Sequence, residues 1–176
     1  MGAALTGNIT DDALVSVGQF LISLFPDCPT ILAQENDVPV PEGAFNMINA
    51  VSTVRLSTNR RVRPEDQTLA IIQPVKVSIQ IDFFGEQAQG RQAQFTTLWR
   101  DAYAFDWFVQ NGYPCRPLYS NDRQFQQFIN ESLNYEQRWL SEAYLQIDQT
   151  IVVNEATAIN PGTIGLTEVD GDYPKT

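Results

Sequence analysis

Between Leu69 and Phe83 the chain repeats with a period of two. Leu69, Ile71, Val75, Val77, Ile79, Ile81 and Phe83 are apolar and odd-numbered, whereas Lys76, Ser78, Gln80 and Asp82 are polar and even-numbered. A helix would scatter those apolar side chains around its axis, so the segment is a half-buried strand whose apolar face needs a covering layer. Pro74 has no N–H to give to a ladder, which places the strand at an edge there or puts a bulge in it.

Helical spacing elsewhere supplies the cover. From Asp11 to Phe25 the residues Leu14, Val17, Leu21, Leu24 and Phe25 form a stripe, with Thr10 placed to cap it, Asp11 and Asp12 in the first turn and Pro26 as the stop. A second helix is expected over Glu86 to Val109, its stripe made by Ala88, Phe95, Leu98, Trp99, Ala102, Phe105 and Val109, a break near Asp101 being the alternative. Asn111-Gly112-Tyr113-Pro114 ends it in turn chemistry.

The remaining segments read as strands and loops. A short apolar run, Thr30 to Ala33, leads into residues 34–43, where Glu35, Asp37 and Glu42 accompany Pro39, Pro41 and Gly43 as an exposed acidic loop. Asn46 to Ser57 reads as a strand with Ile48, Ala50, Val54 and Leu56 on one face, followed by a polar connection from Thr58 to Thr68. Arg116 to Glu131 reads as short strand and turn. Tyr135 to Val153 fits both a four-residue and a two-residue spacing, and its β-branched end together with Leu145 and Val153 favours a long strand. The Gly-, Pro- and Asp-rich remainder reads as a C-terminal arm.

The order helix, strands, helix, strands is not the alternation of a parallel doubly wound sheet. It predicts a single α+β domain over 1–153, a mainly antiparallel sheet with two helices packed on one face, and an arm over 154–176.

Charge and residue usage narrow the function. Eleven basic residues against 21 acidic ones leave a net charge of −10, the wrong sign for a general nucleic-acid binder. The sequence has no histidine, which removes imidazole as base, ligand or switch. Without it a hydroxyl nucleophile needs a lysine or α-amine, and Ser-x-x-Lys does not occur. The acidic pairs Asp11–Asp12 and Glu131–Glu136 sit at a helix start and a turn, where carboxylates face water without catalytic duty. Glycines 85, 90 and 112 form no phosphate loop, and the two lysines, Lys76 and Lys175, do not suit a carboxylate and metal nuclease. No enzyme activity, cofactor or metal is expected. Cys28 and Cys115 lack zinc-site spacing and read as reduced thiols in a cytoplasmic setting, a disulfide between them being the alternative. Met1 to Leu5 has no basic stretch and the apolar runs are too short to span a bilayer, so neither export nor membrane association is expected.

Nine of the 11 basic residues are arginine, and Arg55, Arg60, Arg61 and Arg63 fall within nine positions. Arginine suits planar, bidentate contacts to carboxylates at interfaces. A solvated loop is the alternative reading. With Glu35, Asp37 and Glu42 on the same chain, the arginines suggest head-to-tail contacts between identical subunits that close into a ring. In the arm, Ile164, Leu166, Val169 and Tyr173 offer anchors for a segment that is disordered alone and ordered against a neighbour, the alternative being a tail with no partner.

Five segments in order carry a resemblance. AVSTVRLSTN (Ala50 to Asn59) and VKVSIQIDFFG (Val75 to Gly85), then LWRDAYAFDWF (Leu98 to Phe108), RPLYSNDRQF (Arg116 to Phe125) and NYEQRWLSEAYLQIDQTIVV (Asn134 to Val153), resemble the neck terminator proteins of tailed bacteriophages. The resemblance covers roughly residues 30 to 153. It implies a tail-terminator-like fold, a homo-hexameric ring that ends the tail tube, and junction with the tube protein and with connector proteins below the portal. Genomic DNA would pass through the lumen without specific binding, and the protein would reside in the virion after assembly in the host cytoplasm. A tail-tube or head-completion ring protein is the alternative.

Overall fold

The computed structural model describes residues 4–5, 8–33, 39, 41–63, 68–122, 125–129 and 135–154. Its elements in chain order are β1 (Ala4–Leu5), α1 (Ile9–Leu24), β2 (Thr30–Leu32), β3 (Phe45–Arg55), β4 (Arg60–Val62), β5 (Thr68–Phe84), α2 (Ala88–Trp99), α3 (Ala102–Gln110), β6 (Cys115–Asp122), β7 (Gln126–Ile129) and β8 (Tyr135–Asn154).

Two long strands make the spine. The 17 residues of β5 run antiparallel to β8 along their whole length, from Thr68↔Asn154 to Phe84↔Arg138, a ladder of about 56 Å at the usual rise per residue. One side of β5 takes β3 and β4 end to end, and β2 lies parallel to β3 at that margin. The far side of β8 takes β7, β6 and β1 in turn, all antiparallel. The result is an eight-stranded, mostly antiparallel sheet, and the fold is α+β as the element order predicts.

The period-two pattern is borne out. Val75, Val77, Ile79, Ile81 and Phe83 are buried, and the register sets Val75 opposite Ile147, Val77 opposite Leu145 and Ile79 opposite Ala143 on the face that the helices cover. The strand reading of 135–153 holds as well, because those odd residues of β8 are what the odd residues of β5 face. Pro74 meets the expectation in part: the ladder to β8 runs past it without a bulge at Asp148, but on the other side β3 pairing stops at Val75 and β4 pairing starts at Ile72, so Pro74 stands at a local edge. Its carbonyl accepts from the Leu56 N–H at 3.0 Å, so the missing donor faces the break between β3 and β4, where no ladder bond is lost.

The bulge sits in β3 instead. The register jumps between Ala50 and Ser52, so Ile48 and Ala50 share the helix-covered face with Ile81 and Ile79, while Val54 pairs with Lys76 on the opposite face. The single apolar face expected for Ile48, Ala50, Val54 and Leu56 is therefore divided, and Val51, Val54 and Leu56 are exposed.

Three helices cover the sheet where two were expected. Asp101 accepts from the Tyr103 N–H at 2.9 Å and starts α3 afresh, so the apolar register of α2 is not carried through. Ala104 and Phe108 turn inward, and Phe105 and Val109, expected in the core, face outward. Helix α1 begins one cap earlier than expected: Asn8 Oδ1 accepts from the Thr10 N–H at 3.1 Å. Its buried face is Ala13, Ser16, Val17, Phe20 and Leu21, with Leu14 and Leu24 at the flanks. Phe20, absent from the expected stripe, is the hub of the core: its ring touches those of Phe95, Trp99, Tyr103, Trp107 and Phe108. Burying such a ring removes enough apolar surface from water to contribute about 2–3 kcal/mol.

Candidate functional site

Of the arginines expected in the polar connection, Arg60 and Arg61 lie on a strand instead. Arg55 ends β3, Arg60 and Arg61 belong to β4, and Arg63 follows it; all four are exposed. Pairing sorts them, for Arg55 stands opposite Val75 and Arg61 opposite Ile71 on one face, while Arg60 stands opposite Ile72 on the other. They do not converge on one point. They line a margin of the sheet whose outer edge no described strand pairs, a row of backbone donors and acceptors flanked by guanidinium groups.

The acidic partners are only partly placed. Glu42 is exposed in the turn before β3, at the opposite end of that strand from Arg55 and so about 36 Å away along its 11 residues. Glu35, Asp37, Ile164 and Leu166, with most of the acidic loop and the arm beyond Asn154, lie outside the described residues.

A feature that sequence reasoning missed is an apolar groove beside the same margin. Leu14, Val15 and Ile22 of α1 face Ile31 and Leu32 of β2 across a trough of about 270 Å³ with Ile48 in its floor. Gly18 gives the trough its depth: a methyl group there would already reach Ile48 Cδ1 at 3.4 Å. Val15 and Ile22 are seven residues apart, two turns of helix, and that spacing was a second, weaker stripe beside the core one.

On the face of the sheet away from the helices two cations are engaged within the chain. Arg138 pairs with Asp82 at 3.2 Å and lies over the Phe84 ring, Gln80 donates to the same carboxylate at 3.0 Å, and Phe84 stacks on Phe45. Farther along the same face the Lys76 ammonium stands over the stacked rings of Tyr119 and Tyr144 and donates to the Tyr119 hydroxyl at 3.2 Å. Lys76 and Arg138 are thus stacked or paired within the chain, whereas Arg60 on the same face is exposed.

Both thiols are unpaired and buried. Burial pushes the Cys115 thiol above its ordinary value, a hydrogen bond with Ser16 opposing it, and burial likewise raises Cys28 against the pull of Arg91. Neither is a thiolate nucleophile at neutral pH. Among the described residues no three His, Cys, Asp or Glu side chains gather as a metal site, and no helix is long and apolar enough to cross a membrane.

A sheet with margins that no described strand pairs, and an apolar groove beside one of them, offers surfaces for docking against other proteins. Compared with models of known families, the chain matches the one described as phage neck terminator protein over residues 11–172, and it belongs to that family. It is thus a structural component of the neck of a phage virion. No curated protein matches the sequence.

Proposed function

We propose that six copies of the chain close into a ring in the phage neck, that the ring ends the tail tube and joins it to connector proteins below the portal, and that genomic DNA passes through its lumen. The observation that carries this reading is the family match over residues 11–172, which spans nearly the whole α+β domain. Supporting it, β2 and β4 lie at one margin of the sheet and β6 and β7 at the other, so one subunit presents two different surfaces to its neighbours, as a head-to-tail ring requires. The net charge of −10 supports a lumen that repels DNA and lets it slide. On this reading Arg55, Arg60, Arg61 and Arg63 contact a neighbouring subunit or an acidic axial partner.

Imaging of intact particles by electron microscopy tests it. The expected result is a sixfold ring of 19.8 kDa chains, about 119 kDa in all, at the junction of tail and head. A different symmetry, or a position away from that junction, overturns the proposal.

A further inference from the structure

Two exposed apolar surfaces stand at opposite margins of the sheet, one with a carboxylate and the other with a guanidinium beside it. One is the concave groove of α1 and β2. The other is an exposed apolar pair: Phe105 and Val109, one helical turn apart on α3, are each 47% exposed. The Arg116 guanidinium lies over the Phe105 ring at 5.8 Å and ties that flank to β6. Because the strand order runs from β2 through β3, β5 and β8 to β6, the groove and the apolar pair occupy opposite margins of one sheet. Since α1 and α3 pack into the same core, both surfaces lie on the same side of that sheet.

We propose that the Phe105–Val109 ridge of one subunit seats in the α1–β2 groove of the next. The occupant is a second copy of this chain because the pairing is heterologous: a groove and a ridge at opposite margins repeat around a circle, whereas a self-complementary patch would stop at a dimer. Charge agrees with this pairing. Asp11 stands in the groove lining and Arg116 beside the ridge, so docking brings a carboxylate toward a guanidinium at the rim of an apolar contact. The α3 carboxylate Asp106 points about 100° around the helix axis from Phe105, away from the centre of the ridge. An aromatic ring entering an apolar trough is the usual anchor of such interfaces. The proposal rests on the ring reading.

A photocross-linker separates the two. Full-length Phe105→benzoylphenylalanine and, separately, Val109→benzoylphenylalanine are incorporated into particles and irradiated. The expected product is a ladder of multimers of this chain, with the cross-linked peptide mapping to residues 11–32 of the neighbour. Particles that carry a sixfold ring but cross-link elsewhere, or not at all, overturn the groove pairing and leave the ring intact. Particles without such a ring overturn the ring reading itself. Ile22→Glu, a charge placed in the groove, is expected to lower the yield of tailed, infectious particles at least tenfold while the isolated chain melts within a few degrees of wild type. Normal yield from that variant also overturns the pairing.

Discussion

The ring of Phe20 meets that of Trp107 edge-on, with centroids 5.1 Å apart and planes at 65°. Phe20 belongs to α1 and Trp107 to α3, so this contact holds together the helix that carries the groove and the helix that carries the ridge. Truncating Phe20 removes ring contacts with five aromatic residues at a fully buried position. Phe20→Ala is expected to cost about 3–5 kcal/mol, read as a shift of the urea midpoint with little change in slope. A loss below about 1 kcal/mol would show that the cluster is not the keystone of the helix layer.

Asp82 is almost wholly buried and its carboxylate holds Arg138 and Gln80. Arg138→Met keeps most of the stem over Phe84 but leaves the carboxylate with a single amide donor. Breaking a buried pair from one side costs about 3–5 kcal/mol, and the quarter exposure of Arg138 reduces this to about 2 kcal/mol. Urea unfolding at neutral pH measures the difference, and an unchanged midpoint would mean the pair is held loosely.

The thiols predict a pH dependence of defined sign. With folded values raised above the ordinary 9.0, the unfolded chain releases these protons first as pH rises, so their contribution to stability is complete below about pH 9 and falls as pH climbs past it. Cys28→Ser with Cys115→Ser should flatten that part of the stability profile. In the native protein at pH 8, Cys115 should react with a disulfide reagent more slowly than Cys28, because it is fully buried whereas Cys28 keeps slight exposure. Equal rates for the two would contradict the burial seen here.

Charge reversal at Arg60 and Arg61 tests the arginine margin. Both are exposed on β4, so the double change to Glu should leave the circular dichroism spectrum intact and alter stability by no more than about 0.5 kcal/mol. Particle assembly should fail. Virions at normal yield would remove the margin from the interface.

Deleting residues 160–176 tests the proposed arm. The family match reaches residue 172 and so extends into this segment, in which Ile164 and Leu166 are the proposed anchors. The truncated chain should melt as the full chain does while tailed, DNA-filled particles become scarce. Wild-type yield would mean the segment has no part in assembly.

Periodicity alone determined the two long strands, the first helix and the α+β class, because alternation and helical spacing record which side chains share a face. The identity of the covering layer and the register between elements are non-local, and there the tertiary structure decided. Ile48 and Val54 have the same parity yet face opposite ways, since one bulge after Ala50 turns the strand over. Phe105 continues the stripe of Phe95 and Trp99 in the sequence, but the cap at Asp101 rotates it outward and makes it surface. Arg60 and Arg61 read as loop until β5 offers them a partner strand. Three residues are too few to show a period, so β2, and with it the groove, comes into being only when β3 lies beside it.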